Sequence, residues 1–197
     1  MRCISPQGLP PEPPRDPLSP ELERFYGSHD PVLMTVGLLE PEYDLALQIR
    51  SLERWRRRHP EAGLAIVGSG SLEGELQRQI ESVPWRDHIL LCGDVPHPVT
   101  LRAIAEADVL LRTTLYDGDA ISVREALHLG TPVVATDNGM RPAGVRLVPM
   151  GDETALDAAL EECLQANPGP GPEGAPAGGD ENLARVLEVY EELLRRG

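Results

Sequence analysis

Short continuous apolar runs alternate with amphipathic stretches along most of this chain, and no other sequence feature limits the fold as strongly. The apolar runs occupy residues 32–36, 63–67, 89–91, 108–111, 132–135 and 145–148. The amphipathic stretches occupy residues 44–58, 72–82, 99–105, 120–129 and 153–165. Apolar runs without polar alternation are typical of parallel strands that helices cover on both faces. The pattern therefore predicts an α/β fold with one doubly wound parallel sheet of about six strands, joined by right-handed crossovers.

The length of the chain, 197 residues, predicts one domain, which we place at residues 32–165. Residues 1–31 are rich in proline and predict an extended arm or interdomain linker with one short helix near residues 21–26. Residues 166–180 are dominated by glycine and proline and predict a disordered linker. Residues 181–197 predict an amphipathic helix that must pack on another surface. Its apolar face consists of Leu183, Val186, Leu187, Tyr190 and Leu194.

Composition and charge exclude several functions. A net charge of −14 and a pI near 4.7 disfavour a nucleic-acid surface, which needs a basic stripe. All 18 basic residues are arginine, so the chain has no lysine for a P-loop or a Schiff base. No apolar run reaches the roughly 20 residues that span a bilayer, and no signal-peptide core is present, which predicts a soluble cytoplasmic protein. Cys3, Cys92 and Cys163 are scattered and predict neither a disulfide nor a metal site.

The segment 115–139, LYDGDAISVREALHLGTPVVATDNG, joins a polar turn, a helix and a buried strand. The backbone N–H groups of residues 118–121 should point out of the helix N-terminus, where an anionic phosphate binds well. Glu125 follows about one turn later, within reach of the vicinal hydroxyls of a sugar or ribose, and Asp117 lies at the mouth of the loop. The alternative is structural: Asp117 caps the helix and Glu125 is a solvated charge.

Polar and glycine-containing loops follow several predicted strands. Ligands of doubly wound sheets bind outside the carboxyl ends of the strands, so these loops converge on one candidate site. The loops contain Gly37, Gly68 to Gly70, residues 93–96, residues 112–119 and residues 137–139. We interpret His97 as a surface loop residue and the two tryptophans as packing residues.

The spacing within segment 115–139 resembles a known family. Asp117, seven intervening residues, Glu125 with the alanine after it, and a Gly-Thr-Pro before an apolar run are similar to the signature of group 1, family 4-like, retaining glycosyltransferases. These enzymes have the GT-B architecture of two Rossmann domains, and the resemblance is to the C-terminal, donor-binding half. It extends over residues 32–164 and implies a Rossmann-like sheet that binds a nucleoside diphosphate sugar.

The resemblance implies roles for particular residues. Glu125 would hold the ribose hydroxyls, Asp117 would be the catalytic residue that holds the hydroxyls of the transferred sugar, Val95 would lie against the base, and Gly37 would lie in the first loop. The β-phosphate would be bound by backbone N–H groups of Gly118, Asp119, Ala120 and Ile121. No metal and no cofactor are expected, because basic side chains and helix dipoles neutralise the leaving diphosphate in such enzymes.

This sequence departs from the family pattern near the proposed phosphate site. The family usually has Arg and Lys in the first loop, where this chain has Leu38 and Tyr43. Asp119 adds a second negative charge, which costs on the order of a kcal/mol beside a phosphate unless a cation compensates it. The arginines available for this compensation are Arg112, Arg124 and Arg141.

The resemblance implies a donor-binding domain of an enzyme that transfers a sugar to an acceptor. In GT-B enzymes the acceptor site and a catalytic base usually come from the N-terminal half, so we expect the isolated chain to be inactive. The N-terminal acceptor domain would be missing from this chain or supplied separately, and no nucleic acid or transmembrane segment is expected. Two alternatives remain open: a non-enzymatic α/β binding module with a degenerate site, and a domain like that of sugar-nucleotide epimerases.

Overall fold

The computed structural model describes residues 15–166 and six helical residues near the C-terminus, namely Leu187, Glu188, Tyr190, Glu191, Leu194 and Arg195. The strands are β1 (Val32–Val36), β2 (Gly63–Val67), β3 (Ile89–Gly93), β4 (Val109–Arg112), β5 (Val133–Thr136) and β6 (Arg146–Val148). The helices are α1 (Pro20–Tyr26), α2 (Leu45–Arg56), α3 (Glu73–Ser82), α4 (His97–Glu106), α5 (Ile121–Leu129) and α6 (Glu153–Gln165). Single 3₁₀ turns lie at Pro41–Tyr43 and Arg86–His88.

The six strands form one parallel sheet in the order β3-β2-β1-β4-β5-β6. Met34 in the central strand β1 lies opposite Ala65 of β2 and Leu110 of β4. The order reverses between β1 and β4, and this reversal opens a crevice at the carboxyl ends of the strands. The architecture confirms the predicted doubly wound, Rossmann-like sheet of six strands.

Helices cover both faces of the sheet, which is why the apolar runs are continuous. Successive side chains of a strand point to opposite faces, so Leu33 packs in one apolar cluster and its neighbour Met34 in the other. The first cluster includes residues of α2, α3 and α6, with Trp55 fully buried at its centre. The second cluster includes residues of α1, α4 and α5. The four inner strands, β2, β1, β4 and β5, are therefore desolvated on both sides, whereas the edge strand β6 exposes Arg146 and Leu147.

The segment before the sheet contributes to the second cluster. Ser19 caps α1 by accepting a hydrogen bond from the Leu22 N–H at 3.3 Å, and Leu22 and Phe25 are buried. The Tyr26 hydroxyl donates to the Ala103 carbonyl at 2.9 Å, and burial raises the pKa of Tyr26. The end of the proline-rich arm is thus packed against the domain.

The C-terminal region is described only in part. Residues 167–180, which contain nearly all of the predicted Gly/Pro linker, lie outside the described residues. Beyond them, three residues of the apolar face that we expected to pack, Leu187, Tyr190 and Leu194, are exposed. Among the described residues, no helix combines the length and the apolar character that crossing a membrane requires.

Candidate functional site

A cavity of about 510 Å³ opens at the carboxyl ends of β1 and β2, between the loop after β3 and helices α4 and α5. Its lining consists of Val36, Gly37, Leu38, Val67, Gly68, Ser69, Asp94, Val95, His97, Thr100, Ile121, Ser122 and Glu125. Four of the predicted site residues therefore meet here, namely Gly37, Val95, Ile121 and Glu125. The other four precede the N-terminus of α5 in the adjoining loop, namely Asp117, Gly118, Asp119 and Ala120.

Main-chain atoms form the floor of this cavity. Gly68 has a φ of +136°, a conformation that residues with a side chain rarely adopt. A Cβ atom at Gly68 would lie 1.8 Å from the Gly37 carbonyl oxygen, and one at Gly37 would lie 2.1 Å from a ring carbon of Tyr43. Glycine at both positions lets the ends of β1 and β2 approach each other closely.

Glu125 is a buried carboxylate that faces the cavity from α5. The residue is only 5% exposed, and its Oε1 lies 2.7 Å from the Nε2 of His97. Our interpretation of His97 as a surface loop residue is right about the surface, since 65% of its side chain is exposed, but wrong about the loop, because His97 is the first residue of α4 and lines the cavity. Its place four residues after a strand end, on the same edge as Glu125, is the sequence signal that we missed.

Asp117 is held by two arginines. Its Oδ2 lies 3.0 Å from Arg112 Nε, 2.9 Å from Arg112 Nη2 and 3.1 Å from Arg141 Nη1, and its Oδ1 accepts the Gly118 N–H at 2.8 Å. Burial acts to raise the pKa of Asp117, but the charge of Arg112 and the hydrogen bonds from Arg141 and Arg112 outweigh it and lower the pKa. Asp117 does not cap α5, whose N-cap is Ala120.

The arginines that we expected to compensate a phosphate are each bonded to protein acids. Arg112 also donates to the Val36 carbonyl at 2.9 Å, and its guanidinium lies 4.5 Å from the ring centroid of Tyr43. Arg124 Nε lies 2.7 Å from Asp119 Oδ1, so the second negative charge of the loop is paired inside the protein. The Tyr43 ring thus stacks on the guanidinium of Arg112 from β4.

Arg141 joins its own loop, after β5, to the loop after β4 at the carboxyl edge. Besides Asp117, it donates from Nε to the Thr136 carbonyl at 3.1 Å and from Nη2 to the Thr114 hydroxyl at 2.7 Å. Its side chain is 1% exposed. Arg141 is therefore a buried cross-link between the end of β5 and the loop after β4.

The N-terminus of α5 faces the same region without a side-chain cap. The first N–H groups of a helix lack intrahelical partners and carry the positive end of the helix dipole. Ile121 and Ser122, the first two residues of α5, line the cavity. The arrangement combines a site for an anion with a buried hydrogen-bond acceptor, Glu125, one turn away. Within the residues that the structure describes, no three His, Cys, Asp or Glu side chains cluster closely enough to hold a metal ion.

The family model for glycosyl transferases group 1 matches residues 23–156, from α1 to the start of α6. The chain belongs to the group 1 glycosyltransferases. The match includes both acids, all three arginines and every residue of the cavity lining.

Similar proteins agree with this family assignment. A GDP-mannose-dependent alpha-(1-6)-phosphatidylinositol monomannoside mannosyltransferase from Mycolicibacterium smegmatis is 31% identical over 130 residues, which cover 62% of this chain and 34% of that protein. The chain spans about a quarter to a third of the length of the curated relatives it matches. The group 1 glycosyltransferase fold therefore accounts for one part of such proteins.

Solved structures share the fold. The pneumococcal O-GlcNAc transferase GtfA, solved with UDP and GlcNAc, matches with a TM-score of 0.69 at 20% identity over 84% of this chain and 36% of that chain. The C-terminal domain of LpcC, a glycosyl transferase group 1 family protein from Francisella tularensis, matches with a TM-score of 0.62 at 14% identity, over 75% of this chain and 84% of that chain. These matches confirm the predicted GT-B type of Rossmann-like domain.

Proposed function

We propose that this chain is the nucleotide-sugar donor-binding domain of a retaining glycosyltransferase. One observation carries the proposal: in a member of the group 1 family, a carboxylate that is 5% exposed faces a 510 Å³ cavity beside the uncapped N-terminus of a helix. A nucleoside diphosphate sugar needs a hydrogen-bond acceptor for its hydroxyls and hydrogen-bond donors for its phosphates, and the cavity offers both.

Each part of the ligand has a place in this proposal. Glu125 accepts hydrogen bonds from the ribose hydroxyls, and Val95 lies against the base. The backbone N–H groups of residues 118–121 bind the β-phosphate. The glycine floor at Gly37 and Gly68 gives the ligand close access to the main chain.

The ion-pair cluster in the loop before α5 supplies positive charge even without the usual cations of the first loop, while Glu125 and Asp94 place negative charge elsewhere in the cavity lining. Three guanidinium groups, those of Arg112, Arg124 and Arg141, face two carboxylates, those of Asp117 and Asp119, which leaves one net positive charge in this cluster. Arg112 Nη1 would lie 2.9 Å from a Cβ atom at Gly37, so its charge is next to the cavity floor. We propose that this cluster replaces the cations absent at Leu38 and Tyr43.

The proposed transfer needs no metal. The diphosphate leaves as an anion, and the arginines and the dipole of α5 neutralise the charge that develops on it. The sugar passes through an oxocarbenium-like state with retention at its anomeric carbon. Asp117, kept ionised by Arg112 and Arg141, accepts hydrogen bonds from hydroxyls of the transferred sugar.

Calorimetric titration of the chain with UDP-, GDP- and ADP-sugars tests the proposal. We expect one of these sugars to bind, and Glu125→Ala to weaken binding by about 1.5–3 kcal/mol, the range for a hydrogen bond to a charged group. Asp117→Ala should weaken binding of the nucleotide sugar more than binding of the bare nucleoside diphosphate. We also expect no transfer to an acceptor, because the acceptor side belongs to a second domain in this proposal.

Other outcomes would identify the alternatives. Absence of binding to all three nucleotide sugars would contradict the proposal and favour a non-enzymatic module with a degenerate site. Free nucleotide sugar with an altered sugar configuration would favour an epimerase. Robust sugar transfer by the chain alone would contradict the need for a second domain.

A further inference from the structure

A histidine contacts the buried acid of the cavity from the solvent side. His97 Nε2 lies 2.7 Å from Glu125 Oε1, at the short end of the range for a charge-assisted hydrogen bond. A ring nitrogen without a hydrogen would direct a lone pair at the carboxylate, so Nε2 carries a hydrogen and donates it. The contact therefore links the first turn of α4 to α5 across the cavity wall.

The backbone that carries His97 is braced on both sides. The Thr100 hydroxyl lies 3.2 Å from the Val95 carbonyl and 3.3 Å from the Pro96 carbonyl, to which it donates. Pro96 and Pro98 flank the histidine, and a proline ring fixes φ near −65°. His97 thus has a set backbone position although 65% of its side chain is exposed.

Glu125 keeps acceptor capacity after His97 has bonded to it. The two oxygens of a carboxylate offer about four lone-pair positions, and the hydrogen bond from His97 uses one of them. A buried carboxylate without any partner bears a large desolvation cost and would turn toward water. His97 prevents this and leaves positions that match the two hydroxyls of a vicinal diol.

We propose that His97 is a positioning residue that sets the selectivity of the cavity for a nucleotide with a free ribose 2′,3′-diol. The inference rests on the proposed function, since it assigns Glu125 to the ribose. By holding Glu125 Oε1, His97 orients the carboxylate before the ligand arrives, so the diol binds without reorganisation of the site. His97 acts through Glu125 and touches no reacting atom.

The test compares ribose and dideoxyribose nucleotides on the full chain. Calorimetry gives dissociation constants for UDP, GDP and ADP, each beside its 2′,3′-dideoxy form. We expect His97→Ala to weaken binding of the ribose nucleotide about tenfold and binding of the dideoxy nucleotide less than about twofold. Only the ribose form makes hydrogen bonds to Glu125 in this proposal. His97→Gln, which keeps an N–H donor of similar reach, should restore most of the difference.

A second histidine supplies the matched control. His59 Nε2 lies 3.0 Å from Glu161 Oε2, a pair of the same chemistry outside the cavity. His59→Ala should change neither dissociation constant. The double variant His97→Ala/Glu125→Ala should bind no more weakly than Glu125→Ala alone, since a residue that acts through Glu125 has no effect in its absence.

The outcomes separate this inference from the proposed function. If His97→Ala binds nucleotides with unchanged diol selectivity, the inference is overturned and the proposed function stands. Additive losses in the double variant also overturn it, because His97 would then contact the ligand independently. If the wild type binds none of the three diphosphates, the proposed function fails and this inference fails with it.

Discussion

Asp117 and Glu125 belong to one motif, eight residues apart, but their surroundings differ. Asp117 lies among Arg112, Arg141 and a backbone N–H, all of which are groups of the protein itself. Glu125 faces an open cavity and has one exposed histidine as its side-chain contact at 2.7 Å. The neighbours of an acid, rather than its place in a motif, decide how much of its hydrogen-bonding capacity the protein itself uses.

The largest expected effect is on the Asp117 side. Arg141→Ala removes a cation with a 1% exposed side chain and leaves Asp117, Thr114 and the Thr136 carbonyl without one donor each. Loss of one partner of a buried ion pair typically costs about 3–5 kcal/mol, so we expect the free energy of unfolding to fall by about 3 kcal/mol or more. Urea denaturation measures this change.

Two further variants, Arg146→Ala and His97→Ala, serve as comparisons for that result. Arg146 pairs with Glu162, and both side chains are more than half exposed, so Arg146→Ala should cost about 0–1 kcal/mol. On the Glu125 side, His97→Ala should cost less than Arg141→Ala, because Glu125 borders an open cavity and can turn toward water once its exposed partner is gone. Equal losses for Arg141→Ala and Arg146→Ala would remove the contrast between the two acids.

The next effect is on pH dependence. Asp117 has a lowered pKa in the folded protein, so its charge stabilises the fold at pH values above its unfolded pKa, about 3.9. That contribution is lost as the pH falls through the lowered folded pKa. Asp117→Asn lacks this charge. The difference in free energy of unfolding between wild type and variant should therefore shrink by at most about 1 kcal/mol as the pH falls from about 6 to strongly acidic values. A gap that stays constant on acidification would show that the charge of Asp117 contributes nothing.

The smallest effect concerns the ring beneath Arg112. Tyr43→Leu removes the aromatic face that lies 4.5 Å from the guanidinium, and it should cost about 0.5–1 kcal/mol of stability, the usual value of a partly exposed cation–π pair. Tyr43→Phe keeps the ring face and is the matched control. If thermal denaturation shows that leucine and phenylalanine behave alike, the stack does not contribute to holding Arg112.

The fold was predictable because its signal is local. Continuous apolar runs identified all six strands, since burial on both faces of the inner parallel strands leaves few polar positions in them. Helix α4 begins at His97, two residues before the predicted start, because Pro98 is accepted in the first turn of a helix. That small shift is what places the His97 ring at the cavity instead of in a loop.

The pairing of charges at the site was not predictable in the same way. Arg112, Asp117 and Arg141 come from β4, the loop after β4 and the loop after β5, and only the assembled sheet brings them together. The sequence indicated that arginines were available near the acids. It did not show that Arg141 would reach Asp117, because that contact depends on how the loops after β4 and β5 pack, whereas Arg112 and Asp117 are only five residues apart.

The glycine floor has a consequence for how this site changes over time. The floor at Gly37 and Gly68 admits no side chain without rearrangement, because an added Cβ would meet the Tyr43 ring at Gly37 and the Gly37 carbonyl oxygen at Gly68. We therefore expect changes of ligand preference in this site to arise at lining positions that already carry a side chain, such as Leu38, Val95 and His97.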